Sequence, residues 1–177
     1  MTAITPLELI HKKGIFGDHH KKNESDLINI SEVKNLEIIQ VVQYKRSKKN
    51  ISEIKIDNIE FPKQHSTVTS NKETRILWNA PRTWLILSTK ENINSILEKN
   101  CDKLNFSITN ISHSRAIIQI KGLLAKEVLK KGSPINFNEL GTNQCVGTVY
   151  NGIAIIIDSV SSVCFSAQEN WRAGIGI

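Results

Sequence analysis

Hydrophobic and polar positions along this chain follow two periods, and the switches between them mark out its elements. LEIIQVVQY at 36–44 is rich in β-branched residues and predicts a first strand. A charged turn follows at 45–50, and Ile54-Lys55-Ile56 alternates as a short strand. PKQHSTVTSNKE at 62–73 has no period and reads as a surface loop. ILWNAPRTWLIL predicts strands at 76–79 and 84–87 around a tight Ala80-Pro81-Arg82-Thr83 turn, because Pro81 presets φ for a turn and suits no central strand. Ser88 and Glu91 have the spacing of a capping box, and Ile93, Ile96 and Leu97 supply the apolar stripe of the helix it would start. Asn100 is its expected left-handed end. Phe106 and Ile108 alternate in the next strand.

The second half repeats that grammar. Ala116, Ile118 and Ile120 share one face of a strand, with Arg115, Ile117 and Gln119 on the other. Gly122 breaks the strand, and LLAKEVLKK at 123–131 predicts a short helix ended by Gly132, with Pro134 barring continuation. Residues 145–150 and 153–158 flank Asn151-Gly152, the strongest hairpin signal in the chain. The run GIAIII is apolar on both faces and reads as an interior strand. A last short strand at 163–165 and a terminal helix at 168–172 complete the pattern.

The fold class is therefore α+β: two small lobes of mixed, mainly antiparallel sheet with short helices packed on them. Residues 1–35, polar, basic and interrupted by Gly14 and Gly17, read as an arm. Residues 36–111 form the first lobe and 112–177 the second, the two sharing a core. Strand–helix alternation of the nucleotide-binding kind is missing.

Composition narrows the function classes. The hydrophobic fraction of 40% is that of a globular chain, and 177 residues are too few for a self-contained flavin oxidase. The net charge of +6 invites a nucleic-acid partner, but 18 of the 23 basic residues are Lys, whereas base and phosphate recognition leans on Arg forks. The excess is spread over both halves, as on a solvated lysine surface, so no nucleic-acid partner is expected. Cys101, Cys145 and Cys164 form no C-x-x-C pair and fit free thiols in a reducing cytoplasm. No apolar run approaches the ~20 residues of a membrane span, and no signal peptide precedes Lys12-Lys13.

Chemistry-bearing residues are sparse. Asp18-His19-His20 are adjacent and do not converge as metal ligands. Ser112-His113-Ser114 combines nucleophile and base types without a G-x-S-x-G elbow, and neighbours in a strand point to opposite faces. Strand-entry hydrogen bonding is the better reading there; a Cys145–His113 pair stays open. There is no Walker lysine and no G-x-G-x-x-G, so a nucleotide or flavin held by this chain alone is not expected. For a folate-type ligand Asp158 is the least unsuitable acid, with Asp57 expected in a turn. Trp78 and Trp84 flank one hairpin, where one ring serves the core and two can anchor a subunit interface.

Several strings lie together in a recognisable order. Leu77-Trp78-Asn79-Ala80-Pro81-Arg82-Thr83-Trp84-Leu85 and Ile111-Ser112-His113-Ser114-Arg115-Ala116 resemble the gamma subunit family of heterotetrameric sarcosine oxidase. Lys131-Gly132-Ser133-Pro134-Ile135-Asn136, Gly122 before a helix, Cys145 before the final hairpin and Gly14-Ile15-Phe16-Gly17 extend the resemblance over most of residues 5–170. Asn79-Ala80 stands where the family has Gly before the Pro, and the C-terminus lacks the family's aromatic-rich final helix.

The resemblance implies a fold like the folate-binding domains of the glycine-cleavage T-protein. It also implies a non-catalytic subunit of an oxidoreductase complex that demethylates sarcosine to glycine and passes one carbon to tetrahydrofolate. FAD, FMN, NAD and tetrahydrofolate would sit on the alpha, beta and delta partner subunits, and this chain would dock on alpha. Trp78, Pro81, Trp84, His113, Ser114, Arg115, Gly132 and Pro134 become structural or interface candidates, with no catalytic, cofactor or metal residue implied. A gamma-like subunit of a related N-methyl amine dehydrogenase, such as one acting on N-methylglutamate, and a stand-alone folate-binding one-carbon transfer protein are the alternatives.

Overall fold

A computed structural model describes residues 7, 20–23, 27–160 and 170–176, the last stretch by its backbone. Its elements are β1 (Asn29–Glu32), β2 (Glu37–Gln43), β3 (Lys55–Ile56), β4 (Ile59–Glu60), β5 (Val68–Ser70), β6 (Thr74–Ala80), β7 (Thr83–Ser88), α1 (Ile93–Asn100), β8 (Phe106–Asn110), β9 (Arg115–Lys121), α2 (Ala125–Lys130), β10 (Cys145–Tyr150), β11 (Ile153–Val160) and β12 (Asn170–Gly176). The class is α+β, as the pattern predicts.

The strands form two five-stranded antiparallel sheets and a small β3–β4 ribbon. The first sheet has the order β5-β6-β7-β2-β8 and the second the order β1-β9-β12-β11-β10. Alternation along each strand sends one set of side chains between the sheets and the other set outward. Ile38, Leu77, Leu85 and Leu87 of the first sheet meet Ile117 and Cys145 of the second in a shared core. Outside the first sheet, Ile39, Val41, Ile76, Trp84 and Ile86 pack beneath α1 and the ribbon. Outside the second, Ile120, Ile155 and Ile157 pack beneath α2 and Phe137.

The hairpins follow their local chemistry. Asn151 and Gly152 take φ of 47° and 84°, the left-handed pair that a two-residue turn between twisted strands requires. In the β6–β7 hairpin, Pro81 and Arg82 make the turn, Arg82 at φ 61°, after a bulge at Asn79. The Arg82 guanidinium donates to the carbonyls of Tyr44 (3.2 Å) and Lys45 (2.7 Å), which offsets that unusual backbone.

Several local expectations are overridden. Residues 29–32, assigned to the arm, form an edge strand beside β9. The 62–73 loop contains β5, whose three residues are too few to display a period. Ser88 does not cap α1: its hydroxyl accepts from the Lys90 N–H, and the helix starts behind Asn92. Asn100 stays helical and donates its side-chain amide to the Ile96 carbonyl, leaving Cys101 to end the helix in extended geometry.

Gly132 serves a close approach rather than a left-handed turn, since a Cβ there would stand 2.7 Å from the Tyr150 ring. In place of a terminal helix, residues 170–176 form β12 between β9 and β11, where both of its edges are paired. A helix of five residues at 168–172 would close too few i→i−4 hydrogen bonds to compete with two paired edges. The Gly14 and Gly17 break and the 163–165 strand lie outside the described residues.

Candidate functional site

The most buried charges in the described structure lie between the two sheets. Arg75 on β6 and Asp158 on β11 occupy inward positions, so packing the sheets brings them face to face. The contact is bidentate, with Nε to Oδ2 at 2.8 Å and Nη2 to Oδ1 at 2.7 Å, and the two side chains are 10% and 3% exposed. Arg75 also donates to the Ser70 hydroxyl, the Asn143 side-chain carbonyl and the Ser159 backbone carbonyl. Such a pair is tolerated in a core because the fork matches the carboxylate and spare donors find acceptors. Asp158, considered above for a pterin edge, is thereby committed to Arg75.

Sequence reasoning passed over Arg75 as a partner. Its signal was present: a charge at an inward position of TRILW, in register with Leu77 and not with the outward Ile76 and Trp78. The identity of the opposing acid, 83 residues away, had no local signal.

The two described thiols, Cys101 and Cys145, are buried. Cys145 lies between the sheets with its Sγ 3.1 Å from the Trp78 carbonyl, to which it donates. Burial, reinforced by the nearby Asp158 carboxylate, pushes its pKa up to about 12, and burial pushes Cys101 up to about 11. Neither is a thiolate at neutral pH, so neither has the nucleophile's charge state. The open Cys145–His113 pairing also fails on topology. His113 is exposed just before β9, and β10 is three strands away, about 14 Å across the sheet.

The S-H-S-R string enters the fold through a 3-10 turn, Ser112–Ser114, and not as strand. The Ser112 hydroxyl accepts from the Ile38 N–H at 2.8 Å and lies 3.2 Å from the Glu37 carboxylate, stitching the end of β8 to β2. The Ser114 hydroxyl donates to the Ile111 carbonyl at 3.0 Å. Both serines are thus occupied as strand-entry hydrogen-bonding groups.

His113 and Arg115 line a surface groove of about 410 Å³ with Glu32, Lys34, Glu37 and Glu91. Ile38, Arg115 and Ile117 also line an apolar cavity of about 30 Å³ between the sheets, large enough for a water and no cofactor. The groove's mixed charge selects neither anion nor cation.

The other candidates lie elsewhere. Trp84 is a core residue: its Nε1–H donates to the Pro62 carbonyl at 3.0 Å, and its ring meets Phe61 edge-on at 5.2 Å. Trp78 is half-buried on the same outward face, with the His65 ring 6.4 Å away. Pro81 is exposed at the hairpin tip. In register, Thr83 pairs with Val42 and Ser88 with Glu37, so the tryptophan hairpin tip and the S-H-S-R turn stand at opposite ends of β2. Gly132 and Pro134 border the β10–β11 turn, where the Asn151 N–H donates to the Gly132 carbonyl. The candidates therefore form three separate patches and converge on no common centre. His20 is exposed; Asp18 and His19 lie outside the described residues.

A second polar node closes the first sheet at the S-H-S-R end. Asp57, in the β3–β4 turn, accepts from the Asn71 amide (2.9 Å) and the Thr74 hydroxyl (2.8 Å) and pairs with Lys90, which also reaches Glu73 at 3.3 Å. The Lys90 contact holds the Asp57 carboxyl below its ordinary value, and Asp57 raises Lys90 in turn. No cluster of three or more potential metal ligands occurs among the described residues. No helix among them is long and apolar enough to cross a membrane.

The sequence matches no family model and no curated protein. Solved structures do match the fold. A chain of the heterotetrameric sarcosine oxidase from Corynebacterium sp. U-96, in complex with pyrrole 2-carboxylate, superposes with a TM-score of 0.71 at 17% identity. The match covers 86% of this chain and 77% of that one. The glycine cleavage system aminomethyltransferase T from Bartonella henselae superposes with a TM-score of 0.60 at 12% identity over 85% of this chain. The present chain spans 42% of that aminomethyltransferase. The two-sheet architecture is thus the T-protein-like fold.

Proposed function

We propose that this chain is the non-catalytic gamma subunit of a heterotetrameric, cytoplasmic sarcosine oxidase. Its role is to support assembly of a complex that demethylates sarcosine to glycine, with the one-carbon unit passed to tetrahydrofolate. The observation that carries this reading is the fold match over 86% of the chain to a chain of such an oxidase. The state of the reactive groups agrees with it. Asp158 is consumed by Arg75, both described thiols are held protonated, and Ser112 and Ser114 are tied to backbone groups. In this reading FAD, FMN, NAD and tetrahydrofolate reside on the alpha, beta and delta subunits.

The test is native purification through this chain after co-expression with the large subunits encoded by the same source. One yellow complex of four different chains by native mass spectrometry, oxidising sarcosine in preference to N-methylglutamate, is the expected result. Titration of the isolated chain with tetrahydrofolate is expected to be flat. Measurable folate binding by the isolated chain, or a stable monomer indifferent to the large subunits, overturns the reading.

A further inference from the structure

We propose that Ile30, Leu123 and Leu124, set among the lysines of residues 121–131, dock this chain on an apolar, acid-rimmed face of a larger partner subunit. The inference rests on the subunit reading above and adds to it the face that docks and the chemistry of its counterpart. These three side chains are 52%, 48% and 54% exposed, half of the six exposed large hydrophobics among the described residues.

The fold brings the three together. Ile30 pairs in register with Ile120, so it stands on the same outward face of the second sheet, the face that α2 covers. Gly122 links β9 to α2 and packs against Leu27 and Ile28, so Leu123 and Leu124 emerge beside β1. The helix is only six residues long; it covers the sheet with Ala125 and Leu129 and leaves Leu123 and Leu124 ahead of it, and Ile30 on β1, exposed. Among the described residues β1 is one of the two edge strands of the second sheet. Because the Val33 N–H donates to Ile117, alternation turns the Ile30 N–H and C=O away from the sheet.

Charge identifies the counterpart. Residues 121–131 hold four lysines against Glu127 alone, a net +3 within a chain of +6. Lys130 pairs with Glu127, while Lys121 and Lys131 are exposed. A lysine-rich segment flanking exposed apolar side chains is complementary to an apolar face with Asp and Glu at its margin. An anionic membrane offers similar charge, but it leaves an outward-facing backbone edge unsatisfied, whereas a protein strand or loop can pair with it.

Leu124→Asp tests the proposal without threatening the fold, since position 124 is the N-cap of α2 and Asp is a favoured cap. Full-length variants are co-expressed with the large subunits and followed by native mass spectrometry and by titration at 50 and 300 mM NaCl. Leu124→Asp is expected to weaken association by about thirtyfold or more, as for a central interface residue. Lys121→Glu with Lys131→Glu is expected to weaken it most at low salt. Leu104→Asp, at a 78% exposed leucine in the turn before β8, is the control and leaves association unchanged.

A complex unaffected by Leu124→Asp overturns the docking face while the subunit reading stands. A wild-type chain that forms no complex removes both. Sedimentation of the wild-type chain with phosphatidylglycerol–phosphatidylethanolamine vesicles, abolished by Leu124→Asp, makes a membrane the occupant. A Leu124-dependent homodimer makes it a second copy. Slow amide exchange at Ile30 in the isolated full-length chain shows the patch covered by the chain itself. Each of these three overturns the proposal.

Discussion

The two sheets share an inner core, yet their outer faces are built very differently. The first is roofed by eight-residue α1, the β3–β4 ribbon and Phe61, and its fully buried residues include Ile39, Ile76, Ile86, Ile93 and Leu97. The second is roofed by six-residue α2 and a loop carrying Phe137, over a smaller set around Ile120, Leu129 and Ile157. Ile30 on its β1 margin and Leu123 and Leu124 beside it stay exposed. One lobe closes its own core, and the other leaves apolar side chains exposed, the contrast on which the proposed docking face rests.

The largest expected effect lies where the two sheets meet. Arg75→Ala strands the Asp158 carboxylate in the core and should lower stability by about 3–5 kcal/mol in denaturant titration. The double replacement Arg75→Met with Asp158→Leu should recover most of that loss, because apolar isosteres carry no unpaired charge. If the double variant is as damaged as the single, the pair has a role beyond joining the lobes.

The roofs can be compared directly. Leu97→Ala under α1 and Leu129→Ala under α2 remove equivalent side chains, each within the usual range of about 2–5 kcal/mol. Leu97, set in the larger of the two outer clusters, should cost more in the isolated chain, and urea midpoints will rank them. Equal losses break the contrast drawn between the two faces. Binding of the large subunits should protect the second roof and leave the first unchanged, measured as hydrogen exchange in α2 and α1.

Smaller again is Trp84→Phe, which keeps the ring contact with Phe61 but leaves the Pro62 carbonyl without its donor. A loss of about 1–3 kcal/mol is expected by thermal unfolding. The Asp57 node should give the gentlest effect, present at neutral pH and lost in acid. Its folded pKa lies below the ordinary 3.8, so its contribution is complete above that value and is lost as pH falls through the lower, folded one. Asp57→Asn should therefore lower stability at neutral pH and flatten the acid limb of the stability curve below pH 4. An unchanged acid limb shows that other carboxylates dominate there.

Much of this architecture was readable residue by residue. The 36–44 strand, the tryptophan hairpin, the Asn151-Gly152 turn and both helix stripes depend on neighbours within about four positions, the reach of propensity and turn chemistry. Misreadings arose where a distant partner competed with a local signal. The Ser88 hydroxyl is engaged with Thr74 and the Lys90 N–H instead of a helix N-terminus, and 170–176 found two strands to lie between. The site candidates behaved likewise: the S-H-S-R and tryptophan strings were visible as strings, but their placement at opposite ends of β2 was not.

From the sequence alone came the α+β class, the hairpins, the burial of one tryptophan and the scarcity of reactive groups, because period, turn residues and composition act over short distances. Only the tertiary structure paired Arg75 with Asp158, set β12 between β9 and β11, and gathered Ile30 with Leu123 and Leu124. Each of those unions spans tens of residues. It is decided by which sheet faces are buried together, a competition among all the apolar surfaces that no local stretch records.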